Sequence, residues 1–379
     1  MHTSSAVATA GELHDIVTGT TGLTDFGADD YHEALHILLD SYRHEARLTP
    51  QGAAVAQDAV CGALTARALA EAAWKRHPEH AEVEIDRPIF VTGLPRTGTT
   101  ALHRLLTADP AHQGLEMWLT ERPQPRPPRE RWASNTDFGP VDAKYRAHRA
   151  THPDIMGMHF LDAGEVEECW RLLHQSMQSI SFECLSYIPS YSAWLATQDW
   201  TTTYRRHRRN LQLIGANDPH RRWVLKNPSH IFALEEIMRV YPDALIIHTH
   251  RTPGQAIASM CSVNAEATKG LSEAFDPPTI GRTQLDLWSR GLAAFTRARS
   301  AYDPRRFFDV DYTDFVADPM GTVARIYNHF ELELTEPAWS AIQTMHDTSR
   351  RGDRKPAHSY SLADFGLTDA QVGERFALH

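Results

Sequence analysis

The 379-residue sequence predicts an α/β fold: a parallel β-sheet flanked by helices, with an N-terminal helical extension. Three observations predict it. An apolar run, Ile89-Phe90-Val91, enters a glycine-bearing loop, and a helical pattern follows. Further on, "RWVLK" (222–226) and "ALIIHTH" (244–250) read as strands on either side of the helical "HIFALEEIMRVYP". That spacing suggests a parallel pair with a right-handed crossover. Residues 1–85 look helical, so the chain is expected to divide into a helical extension at 1–85 and an α/β domain at 86–379.

In the extension, "DYHEALHILLDSYRHEA" places Leu35, Leu38, Leu39 and Tyr42 at helix-like intervals. "AVCGALTARALAEAAWKRHPE" is alanine-rich and ends near Pro78, as a helix does before proline. The strand–loop–helix unit spans 88–108. "ERPQPRPPRERW" carries four prolines and reads as an ordered loop or lid. Residues 143–215 read as mainly helical around an aromatic-rich centre. "PGQAIASMCSV" opens a helix after the 244–250 strand, and "RRFFDVDY" (305–312) offers one more strand. "FDPPTIG" (275–281) and "SRRGDRKPAHSY" (349–360) read as loops.

Net charge is -10 and the pI about 6.1, which argues against nucleic-acid binding through general basicity. The four cysteines, Cys61, Cys169, Cys184 and Cys261, show neither metal-ligand spacing nor a disulfide framework. Reduced thiols in a cytoplasmic protein are expected. The start lacks a signal-peptide pattern, and no apolar stretch reaches the ~18 residues of a membrane span. The 22 histidines include no H-E-x-x-H pairing, and His248 and His250 alternate on one strand, so no metal is expected.

The chemistry concentrates in "FVTGLPRTGTTALHRLL" (90–106). Gly93 and Gly98 are separated by four residues, as in the phosphate-binding G-x-x-x-x-G-K-[ST], which makes the sheet P-loop-like. Backbone N–H groups and the helix N-terminus favour an anion there. Thr97, Thr99 and Thr100 add hydroxyls, Pro95 stiffens the turn, and Arg96 adds a planar cation suited to tetrahedral oxyanions. Thr99, however, stands where the lysine belongs. Transfer from a nucleoside triphosphate usually needs Mg²⁺ and that lysine to offset three phosphates. A phosphosulfate carries less charge at the group transferred, and fixed cations suffice to receive its leaving phosphate.

Pro95-Arg96-Thr97-Gly98-Thr99-Thr100 resembles the P-[KR]-[ST]-G-T-T loop of the sulfotransferases that use 3′-phosphoadenosine-5′-phosphosulfate (PAPS). Their second signature, a strand-end arginine with a serine eight residues on, is matched by Arg251 and Ser259 in "HTHRTPGQAIASM". Lys226 in "VLKNPSH" matches the strand-end lysine of the bacterial and tyrosylprotein-type branches. "DVDYTDFVADP" and "HSYSLADFGL" are similar to later family segments, with structural roles for Tyr312 and Asp314, so the resemblance runs over roughly 88–370. It implies PAPS as sulfuryl donor, without a metal, and in-line displacement by an acceptor hydroxyl. Arg96, Lys226 and the backbone of Gly98 to Thr100 are implied at the 5′-phosphate and bridging oxygen, and Arg251 with Ser259 at the 3′-phosphate.

The base that takes the acceptor proton stays open among Glu168, Glu116 and His159. Glu168 directly precedes Cys169 in the stretch resembling the bacterial acidic-cysteine motif, where Glu165 would share its helix face. Glu116 lies twenty residues past Arg96, as in the tyrosylprotein-type enzymes, and His159 opens "HFLDAGEVEECW". Pro228 occupies the place of the histidine used by many cytosolic members, which leaves His230 a weaker candidate. The cationic "RRGDRKPAH" reads either as a solvated loop or as a flap placing Arg351, Arg354 and Lys355 over the 3′-phosphate. Tyr187, Tyr191, Trp194 and Trp200 read either as core or as a wall of an apolar acceptor pocket roofed by the 121–131 loop. A small-molecule or lipid hydroxyl is therefore the expected acceptor. The competing functions are a P-loop-type kinase or NTPase, and a non-catalytic nucleotide-binding regulator.

Overall fold

In the computed structural model, which describes residues 7–151, 161–351 and 360–377, five parallel strands form one sheet. They are β1 (Ile89–Gly93), β2 (His112–Gln113), β3 (Arg222–Lys226), β4 (Leu245–His250) and β5 (Phe307–Asp311), in the spatial order β2-β3-β1-β4-β5. The strands at 222–226 and 244–250 are parallel, as expected, yet they do not pair with each other. β1 lies between them, with Val91 opposite Lys226 on one side and Ile247 on the other. The reason is burial on both faces. Phe90 packs into one apolar core, while Ile89 and Val91 pack into the other. Such a strand belongs at the centre of a parallel sheet. The β3–β4 connection, a 3₁₀ turn at Pro228–Phe232 and a helix at Leu234–Val240, passes over it. His230 and Tyr241 bring their rings to 5.0 and 5.2 Å from that of Phe90.

Two further elements depart from the sequence expectation. β2 has two residues, too few to leave an alternating pattern. "FDPPTIG" is not a loop throughout, because a 23-residue helix begins at Pro277. Asp276 caps it by accepting from the Thr279 N–H at 2.9 Å, and Pro277 has no N–H for the first turn to lose. The same residues signal a turn or a helix start.

The extension forms α1 (Ala10–Thr21), α2 (His32–His44) and α3 (Pro50–Arg76). Thr9 and Glu12 make a reciprocal capping box on α1, and Thr49 caps α3. Leu35, Leu38, Leu39 and Tyr42 are buried, as their spacing requires. The apolar contacts of these helices run without a break into those of the α/β part. Arg67 on α3 is fully buried and donates to the carbonyls of Phe26, Ala28 and Gln175 and to Asp30. Gly52 packs so closely on residue 271 that a Cβ would stand 1.9 Å from the Leu271 carbonyl oxygen.

The core also buries imidazoles. Desolvation lowers the pKa of His103, His174 and His207 to about 3 and that of His248 to about 4. The unfolded value is about 6.5, so the unfolded chain binds more protons below that pH. The stability these neutral rings contribute is complete above about pH 6.5 and is lost as pH falls toward their folded values. Urea midpoints are therefore expected to fall between about pH 7.5 and about pH 5. A midpoint constant over that interval contradicts the neutral burial of these histidines.

Candidate active site

The site gathers at the carboxyl ends of β3, β1 and β4, where ligands bind in open parallel sheets. β1 ends at Gly93, whose φ of 142° and 2.4 Å separation between a built Cβ and the Thr249 carbonyl oxygen exclude a side chain. The loop then runs to Gly98 (φ 88°) and into α4 (Thr99–Thr107). Arg96 holds φ 68°, a left-handed conformation that costs a non-glycine residue ~1–3 kcal/mol. Thr97 is an internal brace: its buried hydroxyl donates to the Leu94 carbonyl at 2.6 Å and meets the Thr249 hydroxyl at 2.5 Å. No side chain caps α4, so its first-turn N–H groups are directed at the loop mouth.

Lys226 closes β3 with its side chain 2% exposed. Its ammonium donates to the Glu168 carboxylate and, at 3.2 Å, to the Thr100 hydroxyl. Glu168 is held in place from the next residue, because the Cys169 N–H donates to the Lys226 carbonyl at 3.0 Å. Beneath them His103 bonds through Nε2 to the Val224 carbonyl at 3.0 Å. Burial first, and then the Lys226 charge, keep that ring neutral. The cation missing from the loop is thus supplied by the neighbouring strand.

The second cluster lies on the β4 side. Arg251 donates to the Arg96 carbonyl at 3.1 Å and to the Gln255 side chain at 3.2 Å, and its guanidinium sits 4.4 Å from the centre of the Tyr312 ring. Ser259 is buried two turns into the Pro253–Ala267 helix and accepts from Arg96 Nε at 3.2 Å. Arg96 therefore stands with Arg251 and Ser259, while Thr100, Lys226 and Glu168 form the other group. The short loop from 96 to 100 joins the two. Thr99 is buried at the start of α4.

The remaining candidates fall elsewhere. Glu116 pairs with Arg126 at 3.0 Å, and Arg126 also binds Gln113, the Gly114 carbonyl and Asp218. Glu165 lies 3.7 Å from Arg104. His230 is buried against Phe90, with Nδ1 2.7 Å from the Tyr204 hydroxyl, and desolvation pushes its pKa well below the usual value. His159, Arg354 and Lys355 lie outside the described residues. Tyr191 and Trp200 are core residues, the Tyr191 hydroxyl donating to the Met177 carbonyl at 2.6 Å. Among the described residues, His248, His250 and Asp309 bring three ligand-type atoms within 4.8 Å of one another. Arg299 already holds both Asp309 oxygens at 2.6 Å, which makes this group an ion-paired joint between β4, β5 and the Pro277–Arg299 helix. Sequence reasoning missed Thr249, whose role as a brace rests on strand register and leaves no local signal.

Comparison with known proteins identifies relatives of the chain. A family model described as "Sulfotransferase family" matches residues 88–336. The crystal structure of sulfotransferase STF1 from Mycobacterium tuberculosis H37Rv is 54% identical with a TM-score of 0.93, covering 99% of this chain and 100% of that one. Sulfotransferase STF9 from Mycobacterium avium is 27% identical with a TM-score of 0.89, covering 100% of this chain and 96% of that one. Omega-hydroxy-beta-dihydromenaquinone-9 sulfotransferase Stf3 of Mycobacterium bovis is 27% identical over 261 residues, 65% of this chain, and the match spans 63% of that relative's length. Among the described residues no helix is long and apolar enough to cross a membrane. The chain belongs to the sulfotransferase family.

Proposed function

We propose that the protein moves a sulfuryl group from PAPS to a hydroxyl of an apolar small-molecule or lipid acceptor by in-line displacement. The observation that carries this reading is the buried Lys226 ammonium, brought by β3 to a lysine-free phosphate loop and flanked by Glu168 and Thr100. The donor set fits an adenosine bisphosphate. The uncapped N-terminus of α4 and Lys226 suit its 5′ end, and Arg251 with Ser259 suits its 3′-phosphate. Arg96 connects the two ends. PAPS supplies the activated sulfuryl group and a bisphosphate leaving group.

The chain's own residues do the rest. Lys226 and the α4 N–H groups offset negative charge on the leaving side. Glu168 takes the proton of the acceptor hydroxyl. It is favoured over Glu116 by place: Glu168 stands beside Lys226 and Thr100 at the loop mouth, whereas Glu116 is held by Arg126 within a network that joins Gln113, Gly114 and Asp218. A hydroxylated menaquinone appears in the name of the Stf3 relative, which supports an acceptor of that apolar class. A kinase or NTPase is disfavoured because the loop holds threonine in the lysine position, and the substitute cation is shared with a carboxylate.

Calorimetry is expected to show 3′,5′-phosphoadenosine binding without Mg²⁺ at least ~10-fold more tightly than ATP with Mg²⁺. The reverse order would overturn the donor assignment. Ser259→Ala is expected to weaken that binding by roughly tenfold, the loss of one hydrogen bond to a charged group. The two carboxylates are expected to separate cleanly. Glu168→Gln should lower kcat by about 10²–10⁴ without weakening nucleotide binding, since it frees the Lys226 ammonium. Glu116→Gln should instead lower unfolding free energy by about 1–3 kcal/mol, leaving turnover per folded molecule near normal. An unchanged kcat in Glu168→Gln removes it as the base.

A further inference from the structure

We propose that the apolar body of the acceptor sits in the cavity between α3 and the helices Phe138–Thr151 and Trp170–His174, so that the N-terminal helices form one wall of the active site. The proposal rests on the sulfuryl-transfer reading above and adds where the acceptor lies and what chemistry it has. The cavity measures about 420 Å³, within the ~300–1,000 Å³ usual for small-molecule sites. On α3 it is bounded by Ala59, Gly62, Ala63 and Ala66 together with the polar Asp58 and Thr65, and on the other sides by Val141, Trp170 and the segment at 120–122.

Its position follows from the chain path. Trp170 is the residue after Cys169, whose N–H is bonded to the Lys226 carbonyl, and two after Glu168, which grips the Lys226 ammonium. Two residues span at most ~7 Å of backbone, so Trp170 ties the cavity wall to the segment that carries the proposed base, although Glu168 and Lys226 do not themselves line the cavity. The lining charges narrow the acceptor class. Lys144 and Arg171 both pair with Glu121, at 2.9 and 3.2 Å. Of the three lining cations only Arg122 stands outside that network. A polyanionic glycan needs several unpaired cations, and this cavity does not offer them. A neutral alcohol with a ring-sized or short isoprenoid body matches the small-residue wall and the indole. A longer lipid would enter with its hydroxylated end first.

Gly62 provides the test, because a Cβ built on it meets nothing within 4 Å and it lies inside a helix. Gly62 is exposed where α3 lines the cavity, so Gly62→Phe adds bulk at the cavity's rim from an unstrained position, with Gly62→Leu as the substitute should the larger side chain disturb folding. The full chain, with 3′,5′-phosphoadenosine added, is photolabelled with a diazirine-bearing dodecanol and the labelled peptides are mapped. Label on residues 58–66 or 170–174, reduced about fivefold or more by the Gly62 variant, is the expected result. Label elsewhere, no label, or label indifferent to the variant overturns the proposal. Calorimetry of 3′,5′-phosphoadenosine on the same samples reads the donor side separately. Equal affinity in wild type and variant is expected, and failure of both to bind removes the donor reading, whatever the label pattern.

Discussion

The constraint on which the site depends is the parallel register of β3, β1 and β4. Parallel strands deliver their carboxyl ends to one edge of a sheet, so three residues far apart in sequence arrive together without any loop reaching for them. With Val91 opposite Lys226 and Gly93 opposite Thr249, the loop after β1 leaves the sheet between the lysine and the arginine. It is tied on both sides. Thr92 donates to the Asn227 carbonyl at 2.9 Å at the β3 exit, and Thr97 shares a hydrogen bond with Thr249 at the β4 exit. A shift of register by one residue would turn Lys226 to the opposite face of the sheet and lose both ties.

The electrostatics follow from that placement. A nearly fully buried ammonium is costly unless it is paired and hydrogen-bonded, and Lys226 has a carboxylate and a hydroxyl. The net stability from such a pair is small, because desolvation offsets most of the Coulomb gain. Its value lies in orientation: the pair fixes an amine and a carboxylate side by side at the loop mouth. His103, just below, is kept neutral by burial and by the same ammonium. On the β3 side of the mouth the positive charge therefore comes from Lys226, with no contribution from the imidazole beneath it.

How much of this was legible in the sequence depends on how local each feature is. The loop was legible because glycine spacing, threonines and an arginine declare themselves within a few residues. The strand ends at Lys226 and Arg251 were legible because apolar runs stop there. The sheet order was not, since the burial of β1 on both faces decides it and a run of three apolar residues is equally consistent with a neighbouring position. Pro277 shows a different failure: Asp-Pro-Pro marks a turn and a capped helix start alike, and only the following 20 or so residues of packing choose between them. Glu116 and Glu168 were indistinguishable by spacing. What separates them is Arg126 on one side and Lys226 on the other, both brought in by tertiary structure. How the helices before residue 85 dock was not legible, because it depends on Arg67 and Gly52 meeting residues more than a hundred positions away.

Placing the cation on β3 instead of in the loop has a structural consequence beyond charge. A lysine inside the loop would move with the phosphate cradle and leave the far side of the site to be built separately. A lysine at the strand end needs a partner from outside the loop, and here the segment from Glu168 to His174 provides it. That segment contributes the carboxylate, ties its backbone to the Lys226 carbonyl through Cys169, and then turns into the short helix whose Trp170 faces the cavity against α3. One stretch of seven residues thus touches the charge that would face the donor and the surface that would face the acceptor. The Cys169 N–H bond to the Lys226 carbonyl fixes where that segment leaves the sheet, so the same contact sets the place of Glu168 before it and of Trp170 after it.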